Sequence, residues 1–289
     1  MDEQGGSARR ACSALGAPLV PAVDDGPHGC VRIERSPRVE ELDRLIRHEH
    51  AWLDLLVLRF LSHPRLLDVL HEYLIGVYHA MRTAGALMEA ARLRSIALAP
   101  DCPVAATLAG YWARHIEEEA GHDRWLLEDL QRIGVDVERE LARPPAPEIA
   151  ALMGTLHFWV LHTHPVAALA YFYVVERSPP TVQLLDWMVN VAGVPRDALR
   201  TFYRHATIDI AHARELEELM DGLPLTAAHH ELLAVSATTV VRQLARMVEA
   251  LLERAELAQE RAPTADAMRR GPDAVTPSGD DASNPATRP

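Results

Sequence analysis

Apolar residues recur at three- and four-residue steps through most of this chain, the spacing of one face of a helix. Leu42, Leu45, Ile46, Trp52, Leu53 and Leu56 carry that pattern across residues 39–61. Ser36-Pro37 opens this first helix with an N-cap and a first-turn proline. His63-Pro64 breaks it, because the residue before a proline avoids helical geometry. A second helix is expected over 65–81, with Thr83-Ala84-Gly85 kinking its continuation toward Leu98. The third opens at Pro100-Asp101 and runs to Ile133, where Gly134 stops it. Pro144, Pro145 and Pro147 punctuate a loop. A fourth helix then covers 148–164, and a fifth follows Pro165 to Arg177. Pro179-Pro180 sets off a short helix ending near Gly193. Pro195 begins another, closed by Gly222-Leu223-Pro224, and a long last helix covers 226–256. No period-two runs bounded by turn dipeptides stand out, so strands are not expected. The pattern predicts one all-α domain of seven to eight helices over residues 36–258. Residues 1–35 and 259–289 mix Gly, Pro and small polar residues without period and read as disordered tails.

One apolar stretch qualifies that picture. Residues 149–175 carry no Asp, Glu, Lys or Arg and are long enough to cross a bilayer. They also hold His157, His162, His164 and Pro165, with nothing anchor-like beside them, so a helix pair buried inside a bundle is the expectation. The net charge of −12 argues against a nucleic-acid partner, which needs a basic face. All 29 basic residues are arginines, which excludes a lysine Schiff base. Cys12, Cys30 and Cys102 form neither a disulfide framework nor a thiolate metal site. With no signal-peptide order at the N-terminus, a cytoplasmic protein without a membrane partner is expected.

The candidate chemistry lies in three segments. His205, Asp209 and His212 fall at i, i+4 and i+7, one row on one helix face, and imidazoles with a carboxylate suit iron, manganese or zinc. Glu119 and His122 form a Glu-x-x-His pair, the pairing of carboxylate-bridged di-iron bundles. Glu118 and His115 lie on or near the same face. Glu176 ends the uncharged stretch, where a carboxylate is costly to bury unpaired. Each segment also has a plainer reading: a solvated acidic face around His122, Glu176 emerging beside Arg177, and Asp209 paired with Arg204 or Arg214. Together they supply three histidines and three carboxylates, the ligand mix of a dinuclear non-haem iron site.

In these residues the chain resembles the haem-oxygenase-like diiron oxidases, also known as iron-containing redox enzymes. The likeness covers about residues 38–256. That family carries a Glu and a His on one helix, a Glu on a later one, then His-x-x-x-Asp-x-x-His. Here these are Glu119 and His122, Glu176, then His205, Asp209 and His212. In some members the first Glu lies two turns before the His, where this chain has His115, which leaves Glu118 and His115 as further candidates. The resemblance implies a haem-oxygenase-like helical bundle. It also implies a metal centre of two iron ions, with manganese or a mixed iron–manganese pair as variants, and no catalytic residue beyond the metal ligands. The expected reaction is O2-dependent oxidation of a small organic molecule, of amine, amino-acid or fatty-acid type. The partners are then O2 and that substrate, with an electron donor and a homodimer as further candidates. Self-directed oxidation of a tyrosine (Tyr111, Tyr171, Tyr173 or Tyr203) belongs to the same repertoire, although each reads more simply as a core or pocket-wall residue.

Other readings make different demands. A haem-binding protein or haem oxygenase would need a proximal histidine on the first helix, for which His50 is the candidate, and a glycine-rich helix that the chain lacks. A thiaminase-like hydrolase would need a pocket cysteine, and only Cys102 is available. A ferritin-like protein would show two Glu-x-x-His motifs. A metal-free helical interaction module would leave the histidines and carboxylates merely buried or solvated. His162 and His164 read as core groups, with support of the metal ligands as the alternative.

Overall fold

The computed structural model describes residues 37–261, and both tails expected to be disordered lie outside the described residues apart from 259–261. Those three residues belong to the last helix, which runs past the expected domain end. Among the described residues every regular element is helical. In order these are α1 (Pro37–Leu61), α2 (Leu66–Leu98), α3 (Pro103–Glu118), α4 (His122–Arg132), α5 (Val137–Leu141), α6 (Pro147–His162), α7 (Ala167–Arg177), α8 (Val182–Asn190), a 3-10 turn (Arg196–Ala198), α9 (Arg200–Gly222) and α10 (Ala227–Arg261).

Prolines mark several of the starts. Pro103 and Pro147 occupy the first turns of α3 and α6, where the missing N–H costs nothing. The Cys102 sulfur accepts the Ala105 N–H at the head of α3, two residues past the expected start. Asp136 caps α5 through the Arg139 N–H, a short helix that the apolar spacing does not show. The kink expected at Thr83-Ala84-Gly85 leaves no break, and α2 is helical throughout.

The largest departure is in the third predicted helix. It stops at Glu118 and restarts at His122, with Gly121 in the left-handed region (φ 89°). Only glycine adopts that conformation without a steric penalty.

α7 is the centre of the bundle. Ala167, Ala168, Leu169, Ala170 and Tyr173 are all inaccessible to solvent, and α6 and α9 pack against this helix. Burying each of its large apolar side chains is worth about 1.5–3 kcal/mol. The uncharged stretch is thus two helices broken at Thr163–Val166, with no helix among the described residues long and apolar enough to cross a membrane. α2 packs on α3 and α6, while α9 also meets α4. The ends of α3 and α7 and the middle of α9 are thereby brought together.

Candidate metal centre

Glu176 is carried inward by the end of α7 and is only 5% exposed. Its neighbour Arg177 turns the other way, to Asp43 (2.8 Å) and Glu217 (2.9 Å). That arrangement is the alternative to Glu176 emerging beside Arg177. Glu176 Oε1 lies 3.1 Å from His115 Nε2 and 3.9 Å from His212 Nδ1. His115, at 1% exposed, is held by rings: Tyr111 stacks on it and Phe172 meets it edge-on. Its other nitrogen, Nδ1, is 3.4 Å from Glu118 Oε2.

The second half of the site forms across the helix break. His122 Nδ1 sits 2.9 Å from Glu119 Oε2 and 3.4 Å from His205 Nε2. Glu119 also reaches back, its Oε1 lying 3.4 Å from His212 Nδ1. Ligand-type atoms therefore converge in overlapping groups: Glu119 with His122 and His205, Glu119 with His115 and Glu176, and His115 with Glu118 and His212. Glu119 is common to the first two. Asp209 is buried and faces the same cavity, but it belongs to none of the tight groups.

The electrostatics match a site short of positive charge. Burial, then the charges of Glu176 and Glu119, push the Asp209 carboxyl up to about 8. Burial also holds Glu176 above the usual carboxylate range, against the pull of its His115 hydrogen bond. The His205 imidazole is driven down to about 4, chiefly by burial. Burial opposes charge on His115 as well, yet the Glu176 hydrogen bond and charge outweigh it and its pKa is raised. Two buried atoms, Glu176 Oε2 and His212 Nδ1, have no hydrogen-bond partner. Buried polar atoms are rarely left so. A cation held between these groups would satisfy both atoms and offset the crowding of like charge, so the residues present fit a metal.

The sequence-predicted residues Glu119, His122, Glu176, His205 and His212 are thus brought together, with Asp209 beside them. His115 moves from the margin to the middle. Glu118 is largely exposed and touches the site only through His115 and, at 3.9 Å, His212. His164 does not support the site: its Nε2 is 3.5 Å from Cys102 Sγ and its ring packs on His229. Because its Nδ1 accepts the Val166 N–H, Nε2 carries the proton in neutral His164 and points it at sulfur. Arg204 lies over the Trp125 ring, which itself stacks on His122 at 4.1 Å between centroids. Missed from sequence was this aromatic packing around the histidines, for which apolar spacing gives no partner.

A cavity of about 570 Å3 opens onto these groups. Its wall comes from α1, α2, α4, α6, α7, α8, α9 and α10, with the end of α3 and the turn after it.

The profile of the family described as iron-containing redox enzyme matches residues 71–259, well over half of the chain. The chain belongs to that family. The match spans every residue of the cluster, from His115 to His212, so an iron-containing redox enzyme with a haem-oxygenase-like fold is established in these terms. Solved structures agree on the fold. A domain of unknown function with a haem oxygenase-like fold from Shewanella denitrificans superposes with a TM-score of 0.63 at 20% identity, covering 78% of this chain and 93% of that one. A TenA homolog from Pseudomonas syringae pv. tomato gives 0.58 at 16% identity, covering 76% and 94%. No curated protein matches this iron-containing redox enzyme.

Proposed function

We propose that the chain holds two iron ions and uses O2 to oxidise a small organic molecule. The observation that carries this reading is that Glu119 belongs to both of two groups of ligand-type atoms, one with His122 and His205 and one with His115 and Glu176. Glu119, His122 and His205 would hold one ion. Glu119, Glu176, His115 and His212 would hold the other, with Asp209 completing the set. Manganese fits the same donors, and the family description favours iron. When bound, a ferrous pair supplies the one-electron chemistry toward O2 that side chains lack.

The residues around the ions have separable tasks. Glu118 fixes the orientation of His115 by accepting from Nδ1, which leaves Nε2 directed at Glu176 and the metal position. Tyr111, Trp112 and Phe172 pack about that imidazole and exclude water from its side of the site. The cavity, mostly apolar, gives a small organic substrate access to the opposite side.

The other readings fit less well. Cys102 caps α3 beside His164 and is not among the residues that line the cavity, so among the described residues a thiaminase-like hydrolase finds no pocket cysteine. A haem ligated by His50 would set an anionic macrocycle against Glu119, Glu176 and Asp209 in one cavity. A metal-free interaction module leaves the orphaned Glu176 and His212 atoms unexplained.

The reading is tested by loading the protein with ferrous iron without air and then mixing it with O2. An absorption change with stoichiometric O2 uptake is expected, and both are expected to vanish in Glu119→Ala. Absence of any O2 uptake by an iron-loaded wild type, or a Soret band on adding haem, would contradict it.

A further inference from the structure

A second cluster of reactive side chains gathers where several helices end. Cys102, part-exposed, stands at the head of α3. The Ala105 N–H donates to its sulfur at 3.5 Å, and His164 Nε2, from the link between α6 and α7, lies at the same distance. A ring nitrogen of His229, in the first turn of α10, is within 4.8 Å of both the sulfur and the His164 ring. None of Cys102, His164 and His229 lines the metal cavity.

One cysteine and two histidines are a ligand set for zinc, but the ring protons stand against a chelate. Val166 N–H donates to His164 Nδ1 at 3.1 Å, and Thr226 N–H to His229 Nδ1 at 3.2 Å. A neutral ring whose Nδ1 accepts carries its proton on Nε2. Metal-bound histidines do the reverse and donate from the nitrogen that the metal leaves free. His229 also has a capping task, since its own N–H donates to the Thr226 hydroxyl at 3.3 Å.

The same protons suit a reacting sulfur. Burial, then the charges of His229 and Arg94, drive the His164 imidazole down to about 4. His164 is therefore neutral near pH 7 and offers the sulfur an N–H rather than a lone pair. Arg94, whose enclosed Nε has no hydrogen-bond partner, adds positive charge beside that ring. The N-terminus of α3, a helix of 16 residues, adds its own partial positive charge. Sulfur attacks as the thiolate, and each of these groups meets negative charge on it with a donor or a cation.

We propose that Cys102 is a nucleophilic thiol and a modification site, where the sulfur, held by the His164 Nε2–H and the Ala105 N–H, takes up a low-molecular-weight disulfide. The thiol proton leaves to water, and the thiolate displaces one sulfur of the disulfide. The old S–S bond breaks, a mixed disulfide forms on Cys102, and the other half departs as a thiolate. Cys102 is oxidised by the disulfide that it reduces, and no further oxidant enters. The cluster is apart from the metal cavity, so this inference does not rest on the oxidase reading.

Treating the full-length protein with hydroxyethyl disulfide at neutral pH, and following Cys12, Cys30 and Cys102 by peptide mass spectrometry, tests it. Cys102 is expected to form the mixed disulfide at least about tenfold faster than the other two. His164→Leu is expected to slow Cys102 about tenfold while leaving Cys12 and Cys30 unchanged, and His164→Gln, which keeps an N–H donor, to restore most of the rate. Cys102 reacting no faster than Cys12 and Cys30, or at an unchanged rate in folded His164→Leu, would overturn the proposal. So would stoichiometric zinc binding that is lost in Cys102→Ser, because it requires ring nitrogens free of their protons. Should His164→Leu fail to fold by circular dichroism, the comparison of the three cysteines in the wild type decides.

Discussion

Glu119 and His122 face each other across a helix break, Oε2 and Nδ1 lying 2.9 Å apart. Glu119 closes α3, His122 opens α4, and Gly121 makes the turn between them at φ 89°. Any side chain at 121 is strained by that backbone, and a Cβ would also stand 2.9 Å from the Arg124 guanidinium. Gly121→Ala is therefore expected to cost about 1–2 kcal/mol and to weaken iron binding. Thermal unfolding and an iron titration check this; unchanged iron affinity would show that the break does not position the pair.

Asp129 ties α4 to α9. Its Oδ2 accepts both the N–H and the hydroxyl of Thr201 at 2.7 Å, in a place closed to solvent. One turn beyond Thr201 is His205, opposite His122. Asp129→Ala leaves two donors without a partner and should cost about 2–3 kcal/mol. It should also reduce iron affinity at least about tenfold, an effect usual for groups that support metal ligands. Thr201→Val, which removes one of the two bonds, should cost about 1 kcal/mol. Denaturant unfolding of both variants measures the difference.

Glu118 and Glu119 are adjacent but are expected to behave differently. Glu118→Ala should keep two irons per chain while lowering their affinity about 10–100-fold, because it supports His115 from outside. Glu119→Ala should abolish loading at both positions. Equal loss in the two variants would mean that Glu118 is itself a ligand.

The Asp43 carboxylate, 2% exposed, receives the Tyr173 hydroxyl at 2.5 Å and the Arg177 guanidinium at 2.8 Å. Removing it leaves a largely buried cation short of a partner. Asp43→Ala should destabilise the fold by about 3 kcal/mol. Tyr173→Phe should cost about 1 kcal/mol, with iron content retained in both. A variant that loses iron before it loses structure would place this network in the site.

Much of this was legible in the chain. Three- and four-residue spacing gave most of the helices, and Pro37, Pro147 and Pro165 punctuate them, while the third starts at Pro103 rather than at Pro100. The row His205, Asp209, His212 could be read directly, because side chains at i, i+4 and i+7 share a helix face wherever that helix packs. The break before His122 could not. Glu119-Ala120-Gly121 continues an apolar period on both sides, and one glycine inside a helix is ordinarily tolerated. Whether Gly121 ends the helix is settled by α4 turning to meet α9, a tertiary preference. His115 was ranked low for a related reason. Its separation from His122 by seven residues suggested a shared face, whereas its partners Glu176 and His212 come from α7 and α9.

Side chains from α3, the turn after it, α4, α7 and α9 are proposed to form one cage for two metal ions. Metal analysis of the full-length chain after anaerobic loading with ferrous iron and desalting tests it most directly, on wild type, Glu176→Ala and His212→Ala. The expected result is two irons per wild-type chain and none retained by either variant, with helical circular-dichroism spectra throughout. Iron content unchanged in both variants, or none bound by the wild type, would contradict the account.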